Sequence, residues 1–335
     1  VDLAEQLGEL GVREVPLIGG ESYLRHDWLE VIEAVVANNM RCSLVTGGRS
    51  FGPERARAAV AAGVSSVSVS IDGVRETHDL LRAVPGSFNA AVAAVKAVHK
   101  AGAAATLNTQ LNRENLPELA EMGEQLLPLG ISGWQFQLTT PMGRAADRER
   151  LILQPYQVLE AFPRLEALWK RAKSFRCTMM IANNLGYFGP FEANLRAGGH
   201  WLGCLGGRFS LGVQSDGTIK ACSSLPANPF GDHNIRTTPL KQILQESAAL
   251  ESVWGRGTDD LWGFCAECYY ADVCRGGCVW TAHTLFGRPG NMPYCHHRAI
   301  ELRSQGKRER LVAKAPAKGE SFDRGEWELI LEPWE

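Results

Sequence analysis

Seven of the nine cysteines fall between Cys204 and Cys295, in the order Cys204-x12-Gly217-x4-Cys222, a gap, Cys265-x2-Cys268-x5-Cys274-x3-Cys278, then x16 to Cys295. No other feature constrains the fold as tightly. Nine cysteines in 335 residues are too few for a disulfide scaffold, and crowding into one stretch of a long chain points to metal chemistry. Soft thiolates select zinc or iron–sulfur clusters. Structural zinc sites close in fours, and seven thiols do not. Two four-ligand centres need eight ligands, so seven thiols leave one position open or filled by another group. A thioredoxin-like role for Cys265-x2-Cys268 fits poorly, because five more cysteines surround the pair.

Upstream, strand-like and helix-like runs alternate. The strand-like runs are Val15–Ile18, 42–46, Val64–Ile71, 105–108 and Gly133–Leu138. Between them, Trp28–Ala37, 54–62, 88–101 and 116–127 carry helical spacing. Such alternation predicts βαβ units and a parallel sheet. No G-x-G-x-x-G follows any strand, so an α/β barrel is expected rather than a dinucleotide-binding fold, with chemistry at the strand ends. A helix over 156–173 and a strand-like run at 177–182 follow. The segments 209–213 and 218–221 predict a β-hairpin about an Asp-Gly turn. A basic helix over 298–310 and a last strand-like run at 327–331 close the chain. The expected divisions are 1–145 (barrel), 146–200 (connection), 201–300 (cysteine module) and 301–335 (tail).

Composition argues by exclusion. Lys and Arg number 35 against 37 Asp and Glu, and no basic run tracks a phosphate backbone, so a nucleic-acid partner is not expected. No apolar run reaches 18 residues, so no membrane span is expected. No signal peptide opens the chain. The first residue is Val1 rather than Met, which reads as loss of an upstream segment.

The order C-x9–15-G-x4-C, gap, C-x2-C-x5-C-x3-C, gap, C resembles the SPASM module of radical S-adenosylmethionine (SAM) enzymes. The resemblance implies two auxiliary [4Fe–4S] clusters. Cys204, Cys222 and Cys278 would bind the first; Cys265, Cys268, Cys274 and Cys295 would ligate the second. Some members take a fourth ligand for the first cluster from six residues before the first motif cysteine. That position is Gly198 here, which cannot ligate. His200 stands nearby, although a histidine in a Gly-rich loop is more often merely solvated. Cys177 and Cys42 lie in apolar strand-like runs and read as core residues.

The front half carries matching motifs. Gly19-Gly20-Glu21-Ser22 resembles the GGE motif of radical SAM barrels, with Ser22 where Pro is usual; the carboxylate would hold the ammonium of SAM. Ser68-Val69-Ser70-Ile71-Asp72-Gly73 resembles the family's S-x-D-G strand end. Arg82 sits in a segment, Leu80 to Phe88, that also matches. A hydroxyl at Ser70 and a guanidinium at Arg82 suit the carboxylate of SAM, and Asn108 is a further candidate at the next strand end. Singly, these read as a turn, a capping serine and a surface arginine; together and in order they favour SAM.

The expected fold is therefore α/β, a partial (β/α)6-type barrel lacking its first strand, followed by the cysteine module. The family's C-x3-C-x2-C loop, which binds a third, SAM-cleaving [4Fe–4S] cluster, is found nowhere in the chain. Its ligands are absent from these residues, so the chain is expected to be inactive alone. The resemblance implies a 5′-deoxyadenosyl radical that takes hydrogen from a peptide or protein. Ribosomal-peptide crosslinking or oxidation is favoured. Sulfatase maturation is disfavoured, because Ser223 replaces the Asp that follows the second motif cysteine in that branch. A tetrapyrrole or other small-molecule cofactor enzyme is the runner-up, and a non-catalytic, cluster-bearing peptide-binding or electron-transfer scaffold is a third reading. A flavodoxin-like reductant, a peptide-recognition partner and a reducing cytoplasm complete the expectation.

Overall fold

The computed structural model describes residues 2–196 and 199–334. The chain divides into two compact units, Val1–Phe136 with Ala167–Met180, and Gln137–Glu166 with Ile181–Glu335. The stretch 146–200, read from sequence as a connection, is thus shared between them. No helix among the described residues is long and apolar enough to cross a membrane.

The first unit is built on a parallel sheet. Its strands are β1 (Glu14–Leu17), β2 (Arg41–Thr46), β3 (Val64–Ser70), β4 (Ala104–Leu111), β5 (Gly133–Leu138) and β6 (Thr178–Ile181). They lie in sequence order with no reversal. A sheet wound in one direction by right-handed crossovers carries its helices on one face, and the residues agree. Leu44, Val67, Val69, Leu107, Trp134 and Phe136 are buried. They share that burial with Ile32, Ala59, Ala94, Val98 and Met122 of the helices. The other face is polar. Ser66, Ser68 and Ser70 on β3 alternate with the buried valines and stand beside Ala104, Thr106 and Asn108 in register. Parallel strands covered on both sides read as continuous apolar runs; the Ser/Val alternation of β3 marks a sheet with one face left for something polar.

Helix boundaries follow local chemistry. Pro53 opens one helix after Gly52. Gly102, at φ +92°, closes the helix Ser87–Ala101 and donates its amide to His99 and Val98 carbonyls, as left-handed C-caps do. That helix is rich in alanine, which lets the loop after β2 approach closely. A side chain at Gly48 (φ +81°) would meet the Ala91 Cα at 2.7 Å. The run 116–127, read as one helix, resolves into a 3-10 turn, the α-helix Leu119–Leu126 and a second 3-10 turn. The helices Asp2–Glu9 and Arg75–Arg82 were not anticipated from sequence.

The second unit combines a sheet of very short strands with a longer two-stranded ladder. β7 (Gly212–Val213), β8 (Thr218–Lys220) and β9 (His233–Asn234) form an antiparallel sheet, a shorter hairpin than the sequence suggests. Side-chain amides tie its segments together. Asn184 pairs with both the amide and the carbonyl of Leu138, at 3.0 and 2.9 Å. Gln154 does the same for Leu311, at 2.7 and 3.2 Å. The expected basic helix over 298–310 is corrected: the helix is His296–Ser304, and Lys307–Ala315 is strand β10, antiparallel to β11 (Glu326–Pro333). Gly306 at φ +67° ends the helix. The charges that follow find partners across a ladder rather than along a helix, Arg308 and Arg310 both on Glu332 at 2.8 and 2.9 Å.

Candidate functional site

Two places concentrate chemistry, one in each unit. In the first, the loop after β1 bends through Gly19 (φ +82°) and Gly20 (φ +54°), a conformation only glycine adopts without strain. It delivers Glu21 to the end of β2. There the carboxylate accepts from the Thr46 hydroxyl at 2.6 Å and the Gly47 amide at 2.8 Å. Thr46 in turn accepts from the Gly48 amide at 2.9 Å. These contacts fix the carboxylate and leave it lone pairs for a further donor.

At the end of β3, Ser70 and Asn108 are cross-strand neighbours on the polar face. Two residues on, Asp72 is buried, accepts the Gln110 amide at 2.8 Å and pairs with Arg82 Nη2 at 2.6 Å. Arg82 ends its helix, followed by Ala83 in the left-handed conformation. The same helix carries His78, whose Nδ1 accepts the Asp72 amide at 3.0 Å and whose pKa burial pushes down. Four buried polar atoms of these residues lack a protein partner: Ser22 Oγ, His78 Nε2, Arg82 Nε and Asn108 Oδ1. Buried polar atoms are normally satisfied, so this group asks for a polar ligand. A carboxylate, a guanidinium donor, a hydroxyl and a carbonyl oxygen are the complement of an amino-acid head group, and the residues fit SAM. Thr46 and Asp72 escaped sequence reading as site residues, although Asp72 stood inside a quoted motif.

In the second unit the thiols separate into two groups. Cys265, Cys268, Cys274 and Cys295 wall one cavity of about 200 Å³. Trp201 Nε1 donates to the Cys274 sulfur at 2.9 Å and the Met292 amide to the Cys265 sulfur at 3.4 Å. Burial pushes the Cys274 thiol up to about 11 and Cys295 up to about 12. Cys295 stands at the start of the helix His296–Ser304, where amides favour a thiolate. Among the described residues no three His, Cys, Asp or Glu groups converge as on a single ion. The four thiols surround a volume instead, which suits a multi-atom cluster.

Cys204, Cys222 and Cys278 form the other group. Burial raises Cys278 to about 12, and the neighbouring Cys204 and Cys222 add to the rise. Cys222 is raised by burial as well, with Cys204 contributing. His200, weighed as a fourth ligand here, lies on the wall of the other cavity. Gly198 lies outside the described residues. Cys42 and Cys177 are buried in the first unit, 0% and 4% exposed, with both thiols pushed up by burial to about 11. Lys220 and Arg256, both buried beside this group, carried no sequence signal at all.

The Radical SAM superfamily family matches residues 1–126. Those residues match a radical SAM domain, a family of enzymes. Similarity to known proteins extends through the cysteine unit. An AdoMet-dependent heme synthase of Methanosarcina barkeri is 28% identical over 88% of this chain and 85% of its own. The PqqA peptide cyclase of Ruegeria pomeroyi is 26% identical over 89% of this chain and 79% of its own. The solved structure of native anSMEcpe with bound AdoMet shares the fold, with a TM-score of 0.67 at 16% identity over 90% of this chain and 84% of that one.

Proposed function

We propose that the protein is a radical SAM maturase that removes hydrogen from a peptide or protein substrate. The observation that carries the cofactor is the set of unsatisfied buried atoms at Ser22, Arg82 and Asn108 beside the fixed Glu21 carboxylate. Glu21 would take the ammonium of SAM. Arg82, held by Asp72, would donate to its carboxylate, with Ser70 adding a hydroxyl and Asn108 an acceptor; Gly19 and Gly20 keep the backbone clear for the ligand. Bound SAM and a reduced cluster supply the one-electron chemistry that takes a hydrogen atom from the substrate. Cys265, Cys268, Cys274 and Cys295 would hold one auxiliary [4Fe–4S] cluster. Cys204, Cys222 and Cys278 would hold another, with its fourth iron open to water or substrate. A small reducing protein of flavodoxin type would supply electrons.

A peptide substrate is supported by the kinship with a peptide cyclase and by Ser223 after Cys222. A second reading, tetrapyrrole chemistry, is favoured by the heme synthase relatives. The two separate under anaerobic turnover with SAM and reductant in protein that also carries a SAM-cleaving cluster. Loss of hydrogen mass from a peptide encoded beside the gene supports the first; consumption of a heme precursor with the peptide untouched overturns it. These 335 residues contain no C-x3-C-x2-C run, so the chain by itself is expected to take up about eight irons as two four-iron clusters and to release no 5′-deoxyadenosine. Stoichiometric zinc without iron would refute the ligand assignment.

A further inference from the structure

A buried cation is costly unless a counter-charge accompanies it. Two arginines of the second unit obey this. Arg298, on the wall of the four-thiol cavity, is held by Glu309 through two bonds of 2.6 Å. Arg196 is held by Glu192 at 2.6 and 3.0 Å. Arg256 and Lys220 do not obey it. Arg256 is 6% exposed. Its Nη2 makes one long contact to the Gly277 carbonyl at 3.4 Å, and Nε and Nη1 have no partner. Lys220 is 1% exposed. Its ammonium donates to the Ser223 and Leu225 carbonyls and lies 4.4 Å from the centre of the Phe322 ring. Those neighbours are acceptors only, which is what an ammonium needs. Among the described residues neither cation has a carboxylate in ion-pair contact; Asp260 and Asp216 act on them from further away.

Both cations adjoin the three-thiol group. Gly277 precedes Cys278 and Ser223 follows Cys222. Burial lowers the pKa of both cations; the charges that oppose it most are Cys204 and Cys278 at Arg256 and Cys222 at Lys220. The site therefore holds two uncompensated positive charges, whereas the four-thiol cavity has one arginine already neutralised by Glu309. We propose that Arg256 and Lys220 are the built-in counter-cations of the iron–sulfur cluster carried by Cys204, Cys222 and Cys278, and that they set its midpoint potential above that of the cluster at Cys265, Cys268, Cys274 and Cys295. This rests on the ligand assignment above. Reduction adds one electron to a cluster that is already anionic with its thiolates. Nearby positive charge and N–H donors to cluster sulfur both favour the reduced form, and the unpartnered Nε and Nη1 are free to serve as such donors. An electron shared between the two clusters rests on the three-thiol site.

The test is a potentiometric titration of the anaerobically reconstituted full chain with dithionite and redox mediators, followed by EPR. Cys222→Ala and Cys268→Ala assign the two signals, and iron and sulfide are counted first. The three-thiol cluster is expected to reduce at the higher potential in the unaltered protein. Arg256→Met and Lys220→Met should each lower it by at least the equivalent of a tenfold change in the reduced-to-oxidised ratio, about 59 mV for one electron. The other cluster should stay where it was, and Arg256→Lys should recover part of the shift. Glu309→Gln, which frees Arg298, should raise the four-thiol cluster instead. Both clusters present with the order reversed, or with potentials unmoved by Arg256→Met and Lys220→Met, overturns the inference and leaves the ligand assignment standing. Protein that takes no iron at Cys204, Cys222 and Cys278 overturns both. Should Arg256→Met fail to hold iron, the order of potentials in the unaltered chain and Lys220→Met still decide.

Discussion

The sheet unit and the cysteine unit reach order by different routes. In the first, six strands and their helices bury a continuous apolar layer, and the candidate ligand-binding residues come from strands, the loop after β1 and a helix end. In the second, the strands β7 to β9 span two or three residues, and many backbone groups are tied by side-chain amides and turns. Five of its seven thiols are raised by burial, so without metal they are protonated near neutral pH. A cluster replaces those protons, and its binding free energy becomes folding free energy. The second unit also buries an apolar core, but the order of its thiol-bearing loops is tied to what those thiols bind.

The sharpest way to break this contrast is to remove the iron. Chelation under anaerobic conditions is expected to strip amide protection from residues 204–295 by orders of magnitude in hydrogen exchange while β2 to β5 stay protected. Equal loss in both units would mean that the clusters hold the whole chain together. Next in size is the fate of single thiols. Cys268→Ala should lose about four irons. Cys42→Ala and Cys177→Ala should keep the full complement and cost only about 1 kcal/mol of stability, as small core truncations do; a Cys177→Ala protein that loses a cluster would place that residue among the ligands.

Arg82→Ala sharpens the comparison from the other side. Loss of a charge-assisted contact of about 1.5–3 kcal/mol should weaken SAM binding by roughly 10- to 100-fold, with iron content unchanged. Equilibrium dialysis with labelled SAM reads the first and colorimetry the second. The smallest effect concerns His78. Burial lowers its pKa, so between the folded and unfolded values the unfolded chain binds more protons. Stability of the sheet unit should fall as pH drops below about 6.5, by at most about 1.4 kcal/mol per pH unit. His78→Gln should flatten that slope in urea titrations at pH 5 to 7.

Much of this was readable beforehand, and particular residues explain why. The helix Trp28–Ala37 and strand Gly133–Leu138 match their apolar patterns to the residue, because each buries one face against one layer. The basic segment after Arg298 misled because Arg308, Glu309 and Arg310 look helical in isolation; their partners, Glu332 and Arg298, are reached only through a cross-strand ladder and a neighbouring helix. His200 sat four residues from Cys204 in sequence yet lies on the wall of the other cavity, since proximity along a loop does not dictate which way it turns.

Thiol count, spacing and the order of the Gly-Gly-Glu, Ser-x-Asp-Gly and Arg82 motifs are properties of the sequence alone, and they pointed to the radical SAM domain that the family comparison finds over residues 1–126. That the thiols divide four and three was proposed from their order; which of them wall a common cavity is a matter of folded geometry. Only the tertiary structure decided which charges are left alone. Arg256 and Arg298 are the same residue type, each buried near cysteines. Arg298 meets Glu309, while Arg256 meets no carboxylate among the described residues, because pairing depends on distances across the fold that no local pattern records.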